Sequence, residues 1–89
     1  MRAGVILVNY NTRELLRQAI QSIHASAYAA GIASDDVTIV VVDNASTDGS
    51  AEMVDQEFPQ VELIALSENA GFTRANNLAL EQLGFDLRP

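Results

Sequence analysis

Three short strings hold most of the residues in this chain that could grip a polar ligand: Asn9-Tyr10-Asn11-Thr12, Asp43 to Ser50 (DNASTDGS), and Glu68 to Thr73. With the residues just after, they collect the amides of Asn9, Asn11, Asn44, Asn69, Asn76 and Asn77, the carboxylates of Asp43 and Asp48, the ring of Tyr10 and the guanidinium of Arg74. Amides and carboxylates hydrogen-bond to base edges and ribose hydroxyls, an aromatic ring stacks on a base, and an arginine or a helix N-terminus meets phosphate oxygens. The set suits a nucleotide. Several members also have a structural reading. Asn11, with Glu14 three residues on, has the pattern of a helix N-cap. Asp48-Gly49 reads as a turn, and Asn69 to Gly71 as a backbone device. Asp43 stands apart, because a carboxylate at the C-terminal end of a buried parallel strand is the usual ribose or base anchor. Arg74 falls in the first turn of a helix, where the dipole disfavours a cation unless a ligand faces it. His24, late in a helix, reads as a surface residue.

The strings sit between elements of clear period. Gly4 to Asn9 and Val37 to Val42 are continuously apolar and β-branched, as strands buried on both faces are. Val61 to Leu66 is a third strand, and Glu62 within it predicts a sheet edge. Leu16, Ile20, Ile23 and Ala27 form one apolar stripe of a first helix. A short helix over Ser50 to Glu57 presents Met53 and Val54 and is stopped by Pro59. A last helix, Thr73 to Leu83, carries Ala75, Leu78, Ala79 and Leu83 on one face, with Gly84 past its end. Phe58 and Phe85 read as core or core rim. The order β-α-β-α-β-α requires parallel strands with right-handed crossovers. It predicts an α/β fold, the three-layer half of a doubly wound sheet, with all three strings on the rim at the carboxyl ends of the strands. The buried look of the first strand calls for a neighbour on each side, and the second strand supplies only one.

Composition narrows the chemistry. At 89 residues, 48% hydrophobic and 19% charged, the chain is a single small folding unit. Apolar runs such as Val5 to Val8 and Ile39 to Val42 fall far short of the ~20 residues of a membrane helix. No cysteine is present, which excludes thiolate metal sites and a cysteine nucleophile and suits a cytoplasmic compartment. Twelve acids face five bases, all arginine, for a net charge of -7, a poor match to a nucleic-acid backbone. Without lysine there is no P-loop lysine and no Schiff base. The first loop has no G-x-G-x-x-G, which weighs against a dinucleotide fold; no G-x-S-x-G elbow or zinc spacing occurs either.

The strings VILVNYNT, VTIVVVDNASTDGS and ENAGFTRANNLAL, in this order and spacing, resemble the N-terminal part of family 2 glycosyltransferases, above all the rhamnosyltransferase-like members. The resemblance runs from about residue 4 to residue 83. It implies the first half of a GT-A (Rossmann-like) fold, sheet order 3-2-1, binding a nucleotide-diphosphate sugar. By this likeness Val8 and Tyr10 line the base site, and Asp43 and Asn44 contact base and ribose. Asp48 belongs to the same motif, while Asn69, Gly71, Arg74 and Asn77 match the loop that approaches ribose and diphosphate. Many relatives carry two aspartates where Asp43-Asn44 stands, so uridine (UDP) and thymidine (dTDP) donors both stay open. The family also uses an Asp-x-Asp motif holding Mg2+ or Mn2+ on the diphosphate and a later carboxylate as general base. No residue here matches either. Residues 1–84 accordingly read as a truncated donor-binding subdomain, with 85–89 leading toward a fourth strand. The expectation is a chain that binds no metal and is inactive alone, and whose apolar first-strand edge promotes a homo-oligomer. The competing reading is a complete, non-catalytic nucleotide-binding or interaction domain.

Overall fold

The computed structural model describes residues 3–84. Three parallel strands alternate with three helices: β1 (Ala3–Asn9), α1 (Arg13–Ala29), β2 (Val37–Asp43), α2 (Ser50–Glu57), β3 (Glu62–Ala65) and α3 (Phe72–Gln82). A single 3-10 turn, Ser34–Asp36, leads into β2. The sheet order is β1-β2-β3, the expected 3-2-1 seen from its other edge. β3 is the edge strand that Glu62 predicted, and the Glu62 carboxylate accepts a hydrogen bond from Gln82 Nε2 at 2.8 Å.

Side chains alternate across the sheet, as the pleat requires. On one face Ile39 and Val41 pack with Leu16 and Ile20 of α1 and with Met53, Val54 and Phe58 at α2. On the other, Val40 and Val42 pack with Ala75 and Ala79 of α3, whose small side chains let the helix lie close to the strands. Helices therefore cover both faces, and the layering is the three-layer one expected. β1 departs from expectation. Val5 to Val8 are half-buried rather than enclosed, because among the described residues β1 hydrogen-bonds to one neighbour, β2. A Cβ at Gly4, itself exposed, would stand 3.0 Å from Leu83 Cδ1. His24 is half-buried, its ring centroid 6.2 Å from that of Phe58. Phe85, expected at the core rim, lies outside the described residues.

The register matters most for the loops. Asn9 pairs with Asp43, and Asp43 with Ala65, so all three strands end at one level. Two further backbone bonds extend the ladder beyond them, Asn44 N–H to Asn9 O at 2.8 Å and Leu66 N–H to Asp43 O at 2.9 Å.

Ile20 is fully buried between α1 and the sheet, whereas Leu15 is 66% exposed on the same helix. Ile20→Ala should cost about 2–5 kcal/mol in urea unfolding, and Leu15→Ala less than about 0.5 kcal/mol. Comparable losses at the two sites would mean that α1 packs through a different face.

Candidate functional site

The three loops meet on the rim at the carboxyl ends of the strands. Asp43 ends β2 only 2% exposed. Its Oδ1 accepts from Asn9 Nδ2 at 2.9 Å and from Ser46 Oγ at 2.7 Å, and its Oδ2 from the Ser46 N–H at 3.0 Å. A carboxylate has about four lone-pair sites, so one on Oδ2 is left for a further donor. Asn44, 3% exposed, uses its Oδ1 to hold the Ala70 N–H at 3.1 Å and leaves its NH2 available. Asn44 thereby docks the third loop onto the end of β2.

The first loop is fixed by the second. Asn11 has φ of +51°, and two bonds hold it there: its N–H donates to Ser46 Oγ at 2.9 Å and its Oδ1 accepts from the Thr47 N–H at 2.7 Å. It is not the helix cap that Asn11 and Glu14 suggested. Thr12 occupies the N-cap position, and its hydroxyl donates instead to Asn9 Oδ1 at 2.6 Å. Glu14 turns to Arg13 and Arg17. The cap comes from 35 residues away: Asp48 Oδ2 accepts the Arg13 N–H at 3.0 Å. The other oxygen, Oδ1, accepts from the Ser50 N–H at 3.0 Å and the Ser50 hydroxyl at 2.5 Å, at the start of α2. One carboxylate thus caps two helices, where both dipoles favour a negative charge. Arg13 Nη1 closes the contact on the Asp48 carbonyl at 3.0 Å.

The expected site residues divide accordingly. Asp43, Asn44 and Asp48 hold the loops, and Val8 is half-buried beside Val42 on the α3 side. Tyr10 is 53% exposed at the mouth of the rim. Asn69 is exposed, and its Oδ1 accepts the Gly71 N–H at 2.8 Å. Gly71 then takes φ of +82° and has open space where a Cβ would stand, so ligand atoms can reach its backbone. Gly71, Arg74 and Asn77 line one open depression of about 690 Å³ at the start of α3. Asn76 is half-buried on that helix. Arg17 is bidentate on Glu57, at 2.8 and 2.6 Å, and also pairs with Glu14. These bonds from Arg17 hold both glutamate carboxyls below their ordinary pKa. Among the described residues Arg74 makes no salt bridge, and it is the arginine that stands at the depression.

Sequence reasoning passed over Ser46, which joins Asp43, Asn9 and Asn11. Its signal was the Asp-x-x-Ser spacing, which lets a side chain close a turn on its own backbone. No group of three or more His, Cys, Asp or Glu among the described residues could hold a metal ion.

The parallel α/β half-sheet thus gathers amides, an aromatic ring and Arg74 at a single rim. The chain belongs to glycosyl transferase family 2, whose family model matches residues 4–84. Over 83 residues it is 28% identical to a teichoic acid poly(glycerol phosphate) polymerase of Staphylococcus epidermidis, covering 89% of this chain and 11% of that protein. A mannosyltransferase from Pyrobaculum calidifontis, solved in complex with GDP-Man and Mn2+, superposes with TM-score 0.72 at 31% identity over 91% of this chain and 24% of its own. The expected GT-A fold is the one observed. The chain spans a small part of both relatives.

The Asp48 carboxyl sits below the ordinary aspartate value of 3.8, drawn down first by the Ser50 hydroxyl, with burial opposing and the backbone N–H groups of Arg13 and Ser50 adding. A pKa lowered in the folded state stabilises above the unfolded pKa and stops doing so as pH falls through the folded one. Asp48→Ala should therefore lower Tm near pH 7, with the gap to the parent closing below about pH 4. Thermal scans at both pH values test this; a constant gap would show that the charge does not act as the cap.

Proposed function

We propose that this rim binds the nucleotide end of a nucleotide-diphosphate sugar, UDP- or dTDP-linked, as the donor-binding portion of a glycosyltransferase moving the sugar to an acceptor hydroxyl. The observation that carries the reading is the shared level of Asn9, Asp43 and Ala65, which brings three polar loops to one rim beside Arg74. Support comes also from the Pyrobaculum neighbour, which carries GDP-Man. In this reading Tyr10 stacks on the base beside Val8. The spare Oδ2 lone pair of Asp43 and the NH2 of Asn44 read base and ribose, accepting from a donor and donating to an acceptor. Asn69 shapes the turn at Gly71, past which the diphosphate lies, with Arg74 and the amide of Asn77 on its oxygens. Asp48 contributes through the two helices it caps.

A divalent ion on the diphosphate would supply charge neutralisation as the glycosidic bond breaks. The described residues do not fit one: they offer no metal-holding group, and Asp43 and Asp48 are already hydrogen-bonded. The reading assigns donor binding to these 89 residues, without turnover. It also gives β1 a role in assembly. Val5 to Val8 form a half-buried apolar run along an edge unpaired among the described residues, a template on which a second copy continues the sheet.

Titration of UDP, dTDP and GDP into isotope-labelled protein should shift the amide resonances of Tyr10, Asp43, Asn44 and Gly71. Arg74→Ala should weaken nucleoside diphosphate about tenfold and free nucleoside little. Silence at about millimolar nucleotide overturns the binding site, and metal-dependent sugar transfer by the 89 residues overturns the assignment of binding alone. Sedimentation velocity should show self-association that grows with concentration; a monomer throughout would refute the edge pairing.

A further inference from the structure

Two consecutive residues at the end of β2 divide the work of holding the rim. By the alternation of the strand, Asp43 lies on the α1 face with Asn9, and Asn44 continues the α3 face of Val40 and Val42. Asp43 binds into the first two loops, whereas Asn44 serves the third, its Oδ1 accepting the Ala70 N–H at 3.1 Å. The Asn44 backbone N–H is bonded to Asn9 O at 2.8 Å. Asn44 is therefore part of the β1–β2 ladder through its backbone and of the third loop through its side chain.

That loop has little else to hold it. From Ser67 to Arg74 every residue is exposed except Ala70, which is half-buried at the tether. Gly71 comes next, at the N-cap of α3, and Arg74 lies in the first turn, just before Ala75 enters the core. Where Ala70 docks thus decides where Gly71 and Arg74 stand. A segment so sparsely packed opens at low cost.

The tether has a second end. An N–H needs an acceptor, so the bond to Ala70 turns the amide oxygen of Asn44 to the loop and its NH2 away from it. Only 3% of Asn44 is exposed, yet that NH2 meets no acceptor among the described residues. A donor so enclosed gains from an acceptor that arrives with a ligand. The amide plane turns about a soft torsion, which one bond sets loosely and a bond at each end fixes.

We propose that Asn44 is a positioning residue that couples recognition of the nucleoside to placement of the diphosphate. A carbonyl or hydroxyl oxygen of the nucleoside takes the NH2, the fixed amide holds Ala70, and Gly71 and Arg74 are brought to the diphosphate. The inference rests on the nucleotide reading of the rim and adds to it an order of dependence: diphosphate without nucleoside gains nothing from Asn44. Bonds through one amide reinforce each other, since donating at one end strengthens accepting at the other.

The test reads amide hydrogen exchange at Ala70 in the labelled protein. Uridine or thymidine, without phosphate, should slow that exchange about fivefold, the worth of one net hydrogen bond, and inorganic pyrophosphate should leave it unchanged. In a double-mutant cycle with UDP, Arg74→Ala should weaken binding about tenfold in the parent and about twofold in an Asn44→Ala background, where the loop is no longer held. Nucleoside that shifts Tyr10 and Asp43 but leaves Ala70 exchange unchanged overturns the coupling and spares the binding site, as do equal slowing by pyrophosphate and additive losses in the cycle. Absence of any shift with UDP or dTDP removes the nucleotide reading, and the coupling with it. Should Asn44→Ala fail to fold, the exchange measurement on the parent decides alone.

Discussion

At the end of β2 a carboxylate is almost wholly removed from water, and the fold around it is arranged to satisfy it. A buried charge without partners costs several kcal/mol, so Asp43 needs donors at fixed positions. Asn9 supplies one from the end of β1, and Ser46 supplies two from the loop that follows Asp43. Because Asn9 and Asp43 are also register partners, the side-chain bond and the backbone ladder specify the same alignment. Slipping the sheet by one residue would turn Asn9 to the α3 face and leave the carboxylate short of a donor. The interaction that settles the register also delivers the loops to the rim.

From Asp43 the constraint spreads unevenly. Ser46 reaches on to Asn11, and Asp48 ties the starts of α1 and α2 together, so the first two loops behave as one piece. The third loop hangs on less. Apart from its backbone link at Leu66, it is docked by the bond from the Ala70 N–H to Asn44 and shaped by the local turn of Asn69. The same rim thus combines a braced wall carrying Tyr10 with a lightly tethered wall carrying Gly71 and Arg74. A ligand spanning both would order the second against the first.

Much of this was legible in the residues. The strands were readable because burial imposes an unbroken β-branched run on Val37 to Val42, and the helices because Leu16, Ile20, Ala75 and Ala79 repeat at helical spacing. The rim followed from topology alone. What was not legible depended on partners distant in sequence. Asn11 followed by Glu14 is a good local cap pattern, yet bonds from Ser46 and Thr47 pull Asn11 into the left-handed region, and Asp48 takes over the cap. β1 reads as enclosed because its composition reflects hydrophobicity, whereas exposure depends on how many strands flank it. Propensity is local, and these outcomes are not.

In the proposed reading the rim selects by hydrogen bonding more than by charge, and the arginines give the reason. Arg13 and Arg17 brace helices against Asp48, Glu14 and Glu57 and have little left to offer a ligand. Arg74 would meet the proposed diphosphate on a chain whose formal charge is -7, with long-range repulsion opposing every phosphate that approaches. Within a Debye length of about 8 Å at physiological salt, one guanidinium offsets this only locally. On that reading discrimination comes from groups whose donors and acceptors are fixed in direction. Those are Asn44, Asp43 and the backbone at Gly71, and the bonds that fix them are the ones that build the fold.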